Sequence, residues 1–184
     1  MKRKLLILSV LAICIATFAA GTLAYFTSEG TAHNVITTGA VEITVQEWAD
    51  EDKQIPFENI VGVIPGTTVT KIAEVKNTGV GEAWVRVLVT KSIKLAGAGT
   101  PNDALAEIKL NLTDWTLGED GYLYYSKALK SGEVTAPIFT AVTFSAAMGN
   151  EYQNATATVD VTAQAVQTAN NGTSVTDAQG WPQA

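Results

Sequence analysis

The sequence predicts an all-β protein, a jelly-roll-like β-sandwich preceded by a cleavable signal peptide. Three observations carry this reading. Apolar and polar residues alternate with a period of two along most of the chain, which is the pattern of half-buried strands. Turn-forming residues separate the alternating runs at short intervals. The first 24 residues combine a basic start, an apolar middle and a small-residue end.

The leader begins Met1-Lys2-Arg3-Lys4 and continues as an apolar run from Leu5 to Ala20, broken only by Ser9 and Thr17. This run is shorter than the roughly 20 residues a helix needs to span a bilayer, which favours a signal peptide over the rival reading, an uncleaved anchor. Cleavage is expected after Ala24. Thr22 and Ala24 stand at the two positions a signal peptidase needs small, and Tyr25 becomes the first mature residue. The expected divisions are 1–24 signal peptide, 25–38 extended N-terminal segment, 39–167 β-sandwich and 168–184 flexible tail. The chain carries 12 Lys+Arg against 18 Asp+Glu. Removing Lys2, Arg3 and Lys4 leaves 9 bases and a net charge of −9. That charge favours solubility and argues against nucleic acid, whose phosphates need a basic surface. Cys14, the single cysteine, leaves with the leader, so no disulfide is expected and stability must come from one core. Leu11-Ala12-Ile13-Cys14 faintly resembles a lipid-attachment site, but Ile13 is bulky where a small residue is required.

In the mature chain, Val41, Ile43 and Val45 alternate with Glu42, Thr44 and Gln46, and Val85, Val87 and Val89 with Arg86, Leu88 and Thr90. Ile108, Leu110 and Leu112 alternate with Lys109, Asn111 and Thr113. Residues 68–76, 122–128, 138–145 and 157–167 are further candidate strands, rich in Val, Thr, Ile, Phe or Tyr. Pro65-Gly66, Asn77-Thr78-Gly79, 97–101, 118–121, Ser131-Gly132 and Gly149-Asn150 supply turns. Seven or eight short strands so punctuated read as a sandwich or jelly roll. A short helix is expected near 102–107, with Asp103 as its cap. From Thr168 onward there is little to bury, so a loose tail is expected.

Catalytic signatures are sparse. The one histidine, His33, falls short of the three protein ligands of a catalytic zinc site unless carboxylates supply the rest. No serine sits in a nucleophile-elbow context. Asp50-Glu51-Asp52 and Glu119-Asp120 lack the spacing of a calcium loop and read as solvated turns. Three Asn-x-Thr triplets begin at Asn111, Asn154 and Asn171 and read as chance in a Thr-rich chain. Trp48, Trp84, Trp115, Tyr122, Tyr124 and Tyr125 would form a sugar-binding strip if exposed in a row, and core or cross-strand packing otherwise. No catalytic residue, metal site or cofactor is expected.

Gly21-Thr22-Leu23-Ala24-Tyr25-Phe26-Thr27, followed by the run from Asn34 to Ile43, resembles the processing site and first strand of the TasA/camelysin family. Val63-Ile64-Pro65-Gly66-Thr67-Thr68-Val69 is similar to that family's Pro-Gly segment, with Thr67 where an acidic residue is usual. It leads into Glu74-Val75-Lys76-Asn77-Thr78-Gly79, similar to its strand and Asn-x-Gly turn, and the run from Val161 to Gln167 is similar to its last strand. The markers span residues 21–167 in order. The resemblance implies a Gram-positive surface or biofilm-matrix protein released by a SipW-type signal peptidase. One branch of the family is a jelly roll that forms extracellular fibres by donor-strand exchange, with a matrix accessory protein as a further partner. The other branch is described as a cell-surface metallo-endopeptidase, and no metal site of that kind is recognisable here to carry over.

The segment 25–38 has β-branched residues, no proline and little charge, which suits addition to an open sheet edge. In a regular strand Phe26, Ala32, Asn34 and Ile36 would share one face, a stripe weakened by Ser28 and Gly30. The same segment is equally suited to pair within its own domain. The expected function is that of a secreted, fibre-forming structural protein of the cell surface or matrix. A surface metallo-endopeptidase and a carbohydrate- or host-binding module are the alternatives.

Overall fold

The computed structural model describes residues 41–58 and 64–182. Among them are eight strands: β1 (Ile43–Trp48), β2 (Thr68–Asn77), β3 (Ala83–Lys94), β4 (Ala106–Ile108), β5 (Trp115–Leu117), β6 (Leu123–Tyr125), β7 (Phe139–Phe144) and β8 (Thr156–Gln167). They form two four-stranded sheets, ordered β1-β2-β7-β4 and β5-β6-β3-β8, in which every pairing is antiparallel. Among the described residues no helix is long and apolar enough to cross a membrane.

Alternation places the core. Val85 and Val87 of β3, with Val161, Ala163 and Ala165 of β8, turn to one side of the second sheet. There they meet Ile43, Val45, Ala73, Val75, Phe139 and Val142 of the first sheet in a single apolar cluster. The intervening residues of β3 and β8 face the other way, as a period of two requires. Trp115 of β5 is also inside. It is 1% exposed, packs on Tyr125 with ring centroids 4.9 Å apart, and donates its indole N–H to the Ala136 carbonyl.

The turns follow from local chemistry. Ile64-Pro65-Gly66-Thr67 is a tight turn in which the backbone N–H and the hydroxyl of Thr67 both donate to the Ile64 carbonyl. Gly66 sits at φ +81°, the conformation a turn with proline at its second position asks of its third. Asn77 is fully buried at the end of β2. It donates to the carbonyls of Gly81 and Leu129 and accepts the Gly79 N–H, tying three segments together.

Three sequence expectations are corrected. The alternation at 108–112 does not make a strand of that length: β4 stops at Ile108, and Leu112 is 62% exposed. Asn111 turns the chain there, because its side-chain Oδ1 accepts from the N–H groups of Thr113 and Asp114. The short helix at 102–107 is one 3-10 turn, Asp103–Leu105, capped by Asn102 rather than Asp103. Asp103 is drawn away by β3, whose Ile93 N–H it accepts at 2.6 Å. The loose tail from 168 onward is instead a packed strap through residue 182. Val175 and Ala178 are buried against Trp84 and Val166, Trp84 donates to the Asn171 carbonyl, and Trp181 packs alongside. The few apolar residues of this segment have a sheet face to bury against, which composition does not reveal.

Candidate functional site

Among the described residues four strands stand at sheet edges, and the backbone groups of such strands are the natural places for another chain to pair. Natural edges are kept from pairing by shortness, charge, proline or cover. β4 and β5 are three residues each. β1 is covered in part by the following loop: Trp48 pairs with Pro56, Phe57 N–H donates to the Glu47 carbonyl, and Ala49 N–H to that of Ile55. Lys53 of this loop bonds Glu74 on β2, which also accepts the Trp48 indole N–H at 3.0 Å. The loop also closes over a buried pair. Lys71 and Glu47 lie 2.7 Å apart, with the Lys71 ammonium 4.0 Å from the Phe57 ring centre.

Among the described residues β8 is the edge strand with least protection. It runs twelve residues, pairs with β3 along its whole length, and among the described residues has no strand on its other side. Its sequence, Thr156 to Gln167, contains one charged residue, Asp160, and no proline or lysine. β1 lies against β8 across the fold.

The outer face beside β8 is built around Arg86. The Arg86 Nε–H donates to Gln164 at 2.9 Å, and its Nη1 donates to Asp120 at 3.2 Å and to the Tyr124 hydroxyl at 3.1 Å. The guanidinium lies over the rings of Tyr122 (4.0 Å) and Trp181 (4.6 Å). Burial works against ionisation of Asp120, but bonds from the Tyr124 hydroxyl and the Tyr122 N–H, with the Arg86 charge, outweigh it and hold the carboxyl below its ordinary value. Burial and the bond to Asp120 push the Tyr124 phenol above its ordinary range. In the sequence Arg86 is legible only as an alternating polar residue of a strand, and Tyr124 as one of the aromatic candidates. That they meet Asp120 and Trp181 required the fold.

The sequence-predicted cleavage residues Thr22, Ala24 and Tyr25, the donor-strand residues Phe26, Ala32, Asn34 and Ile36, and His33 lie outside the described residues. Of the six aromatic candidates none is exposed: Trp84, Trp115, Tyr122 and Tyr125 are buried, and Trp48 and Tyr124 half-buried. Asp50 accepts the N–H groups of Gln54 and Ile55 within its loop, and Asp120 accepts the Tyr122 N–H in its own turn and serves the Arg86 cluster. The Asn111 amide donates to Asp114 and to the Pro137 carbonyl. Among the described residues no group of three or more His, Cys, Asp or Glu is placed to hold a metal ion. Comparison with family profiles, with characterised proteins and with solved structures finds no match to this chain.

Proposed function

We propose that this chain is an exported structural protein of the cell surface or biofilm matrix, whose subunits join by strand addition. In this reading a SipW-type peptidase frees Tyr25, and residues 25–38 of one copy lie along β8 of the next. The observation that carries it is the β8 edge, twelve residues long with one charge and no cover among the described residues. A protein with no use for such an edge would be expected to blunt it.

Strand order supports the finer architecture, a jelly roll. In that double Greek key the last strand lies between the first and the third. Here β8-β3-β6 and β2-β7-β4 keep the order of its two sheets, while β1 pairs with β2 and β5 with β6. The place next to the last strand, which a jelly roll gives to its first, is the free side of β8. A strand preceding β1 fits it, whether from the same chain or from a neighbour, and a head-to-tail contact of the second kind propagates without closing.

The test is electron microscopy of the secreted chain, combined with hydrogen exchange along residues 156–167. Fibres are expected, with β8 amides slowed on assembly. A bulky fusion at the new N-terminus, or Ile36→Pro, should leave folded monomers that do not extend. Fibres of normal length from both variants would exclude assembly through this segment. Wild-type protein that stays monomeric across concentration and pH would remove the fibre reading.

A further inference from the structure

Beside the C-terminal end of β8 there is a notch of about 260 Å³, lined by Val166, Gln167, Asn171, Gln179 and Gly180. Two of these belong to β8 and three to the strap. No residue of β3 lines it, although β3 pairs with both Val166 and Gln167. The notch therefore opens between the last two residues of β8 and the strap, which packs on the outer face of the sheet that Val166 shares with Trp84.

Its walls are held in place. The Asn171 side-chain amide donates to the Gln179 carbonyl at 3.0 Å and accepts the Gln179 N–H at 2.8 Å, clamping the two ends of the strap together. The Asn171 carbonyl is in turn fixed by the Trp84 indole. Gly180 takes φ +77° and Gly172 φ +75°, and a Cβ on Gly172 would meet Asp177 and Ala178 backbone atoms at 3.0 and 3.1 Å. The strap can close this tightly only with glycine at 172. Among the described lining residues three are carboxamides and none is charged.

We infer that this notch is a side-chain pocket for the added strand, and that its occupant is a neutral hydrogen-bonding side chain from residues 25–38 of a second copy. The inference rests on the strand-addition reading. A strand laid on a sheet edge gains affinity from backbone bonds and specificity from pockets that receive alternate side chains. The segment 25–38 offers hydroxyls at Tyr25, Thr27, Ser28, Thr31, Thr37 and Thr38 and an amide at Asn34, with one carboxylate, Glu29. Uncharged carboxamide walls complement such groups and would leave a charged side chain without a counter-ion. The strap thereby acquires a function: it forms the outer wall of the acceptor site.

The test uses the secreted chain and a synthetic peptide of residues 25–38 that competes for fibre growth. Gln167→Trp places a large side chain in the notch from an exposed position. Gln179→Ala removes a carboxamide while the backbone clamp to Asn171 remains. Each variant should melt with wild type, yet Gln167→Trp should weaken peptide binding by about tenfold or more and Gln179→Ala by a smaller factor. If wild type extends and binds the peptide, and both variants do so equally well, the notch is not a pocket and strand addition stands without it. If wild type neither extends nor binds the peptide, and its β8 amides are already protected in the monomer, the edge is filled by the chain's own N-terminal segment and both readings fall.

Discussion

Replacing Asn77 by alanine should destabilise the fold by about 3 kcal/mol, and the structure shows how that figure arises. The side chain makes three hydrogen bonds from a position 0% exposed, each with a net value of about 1 kcal/mol. Two of its partners keep a second bond: Leu129 carbonyl still accepts the Ala83 N–H, and Gly79 N–H still donates to the Glu42 carbonyl. The Gly81 carbonyl is left to water, which it can reach because Gly81 is half-buried. The expected loss therefore stays near the sum of the bonds, without a full desolvation penalty for three orphaned groups. In a domain of this size about 3 kcal/mol lowers Tm by roughly 6–12 °C. Asn77→Asp sharpens the test, because it preserves shape and the acceptor to Gly79 but sets a carboxylate against two carbonyl oxygens. At neutral pH it should be at least as damaging as alanine, and it should recover in part as acid protonates it and restores one donor. Urea and thermal unfolding of the three proteins would measure this. A loss below about 1 kcal/mol for alanine, or an aspartate variant as stable as wild type at pH 7, would refute the assignment of Asn77 as the tie between these segments.

Val87→Asp should unfold the domain, since Val87 is 0% exposed in the shared core and the new charge would be buried unpaired; a variant melting within a degree or two of wild type would show the β3 register to be wrong. Because the Asp120 pKa is lowered in the fold, its contribution is complete above the unfolded-state value near roughly pH 4 and is lost as pH falls through the folded value. Asp120→Asn should therefore flatten the acid limb of the stability curve below about pH 4, and an unchanged slope there would count against the Arg86 cluster. Trp181→Ala removes the ring stacked on Arg86 and edge-on to Tyr124, which should lower stability by roughly 1–2 kcal/mol. It should also speed amide exchange across residues 171–179; unchanged exchange would mean the strap is held by other contacts.

Sequence alone determined the all-β class and the approximate place of most strands. A period of two records which residues share a face, and that is a local property of an extended chain. It also marked Pro65-Gly66 as a turn, because proline and glycine restrict or extend the backbone without reference to distant residues. Asn77 was visible as turn punctuation, but its burial and its three partners belong to segments brought together only by folding. The alternation at 108–112 misled because Asn111 can bond its own backbone neighbours, while its amide and N–H reach the carbonyls of Pro137 and Ile138, which only folding brings beside it. The strap at 168–182 was illegible for the converse reason. Its composition is poor in apolar residues, and what orders it is the outward Trp84, Val166 and Arg86 face of another part of the chain, which it covers. The same holds for the β8 edge. Its sequence reads like any strand, and whether a strand is central or at an edge depends on what pairs beside it, a relation between distant segments that only the tertiary structure decides.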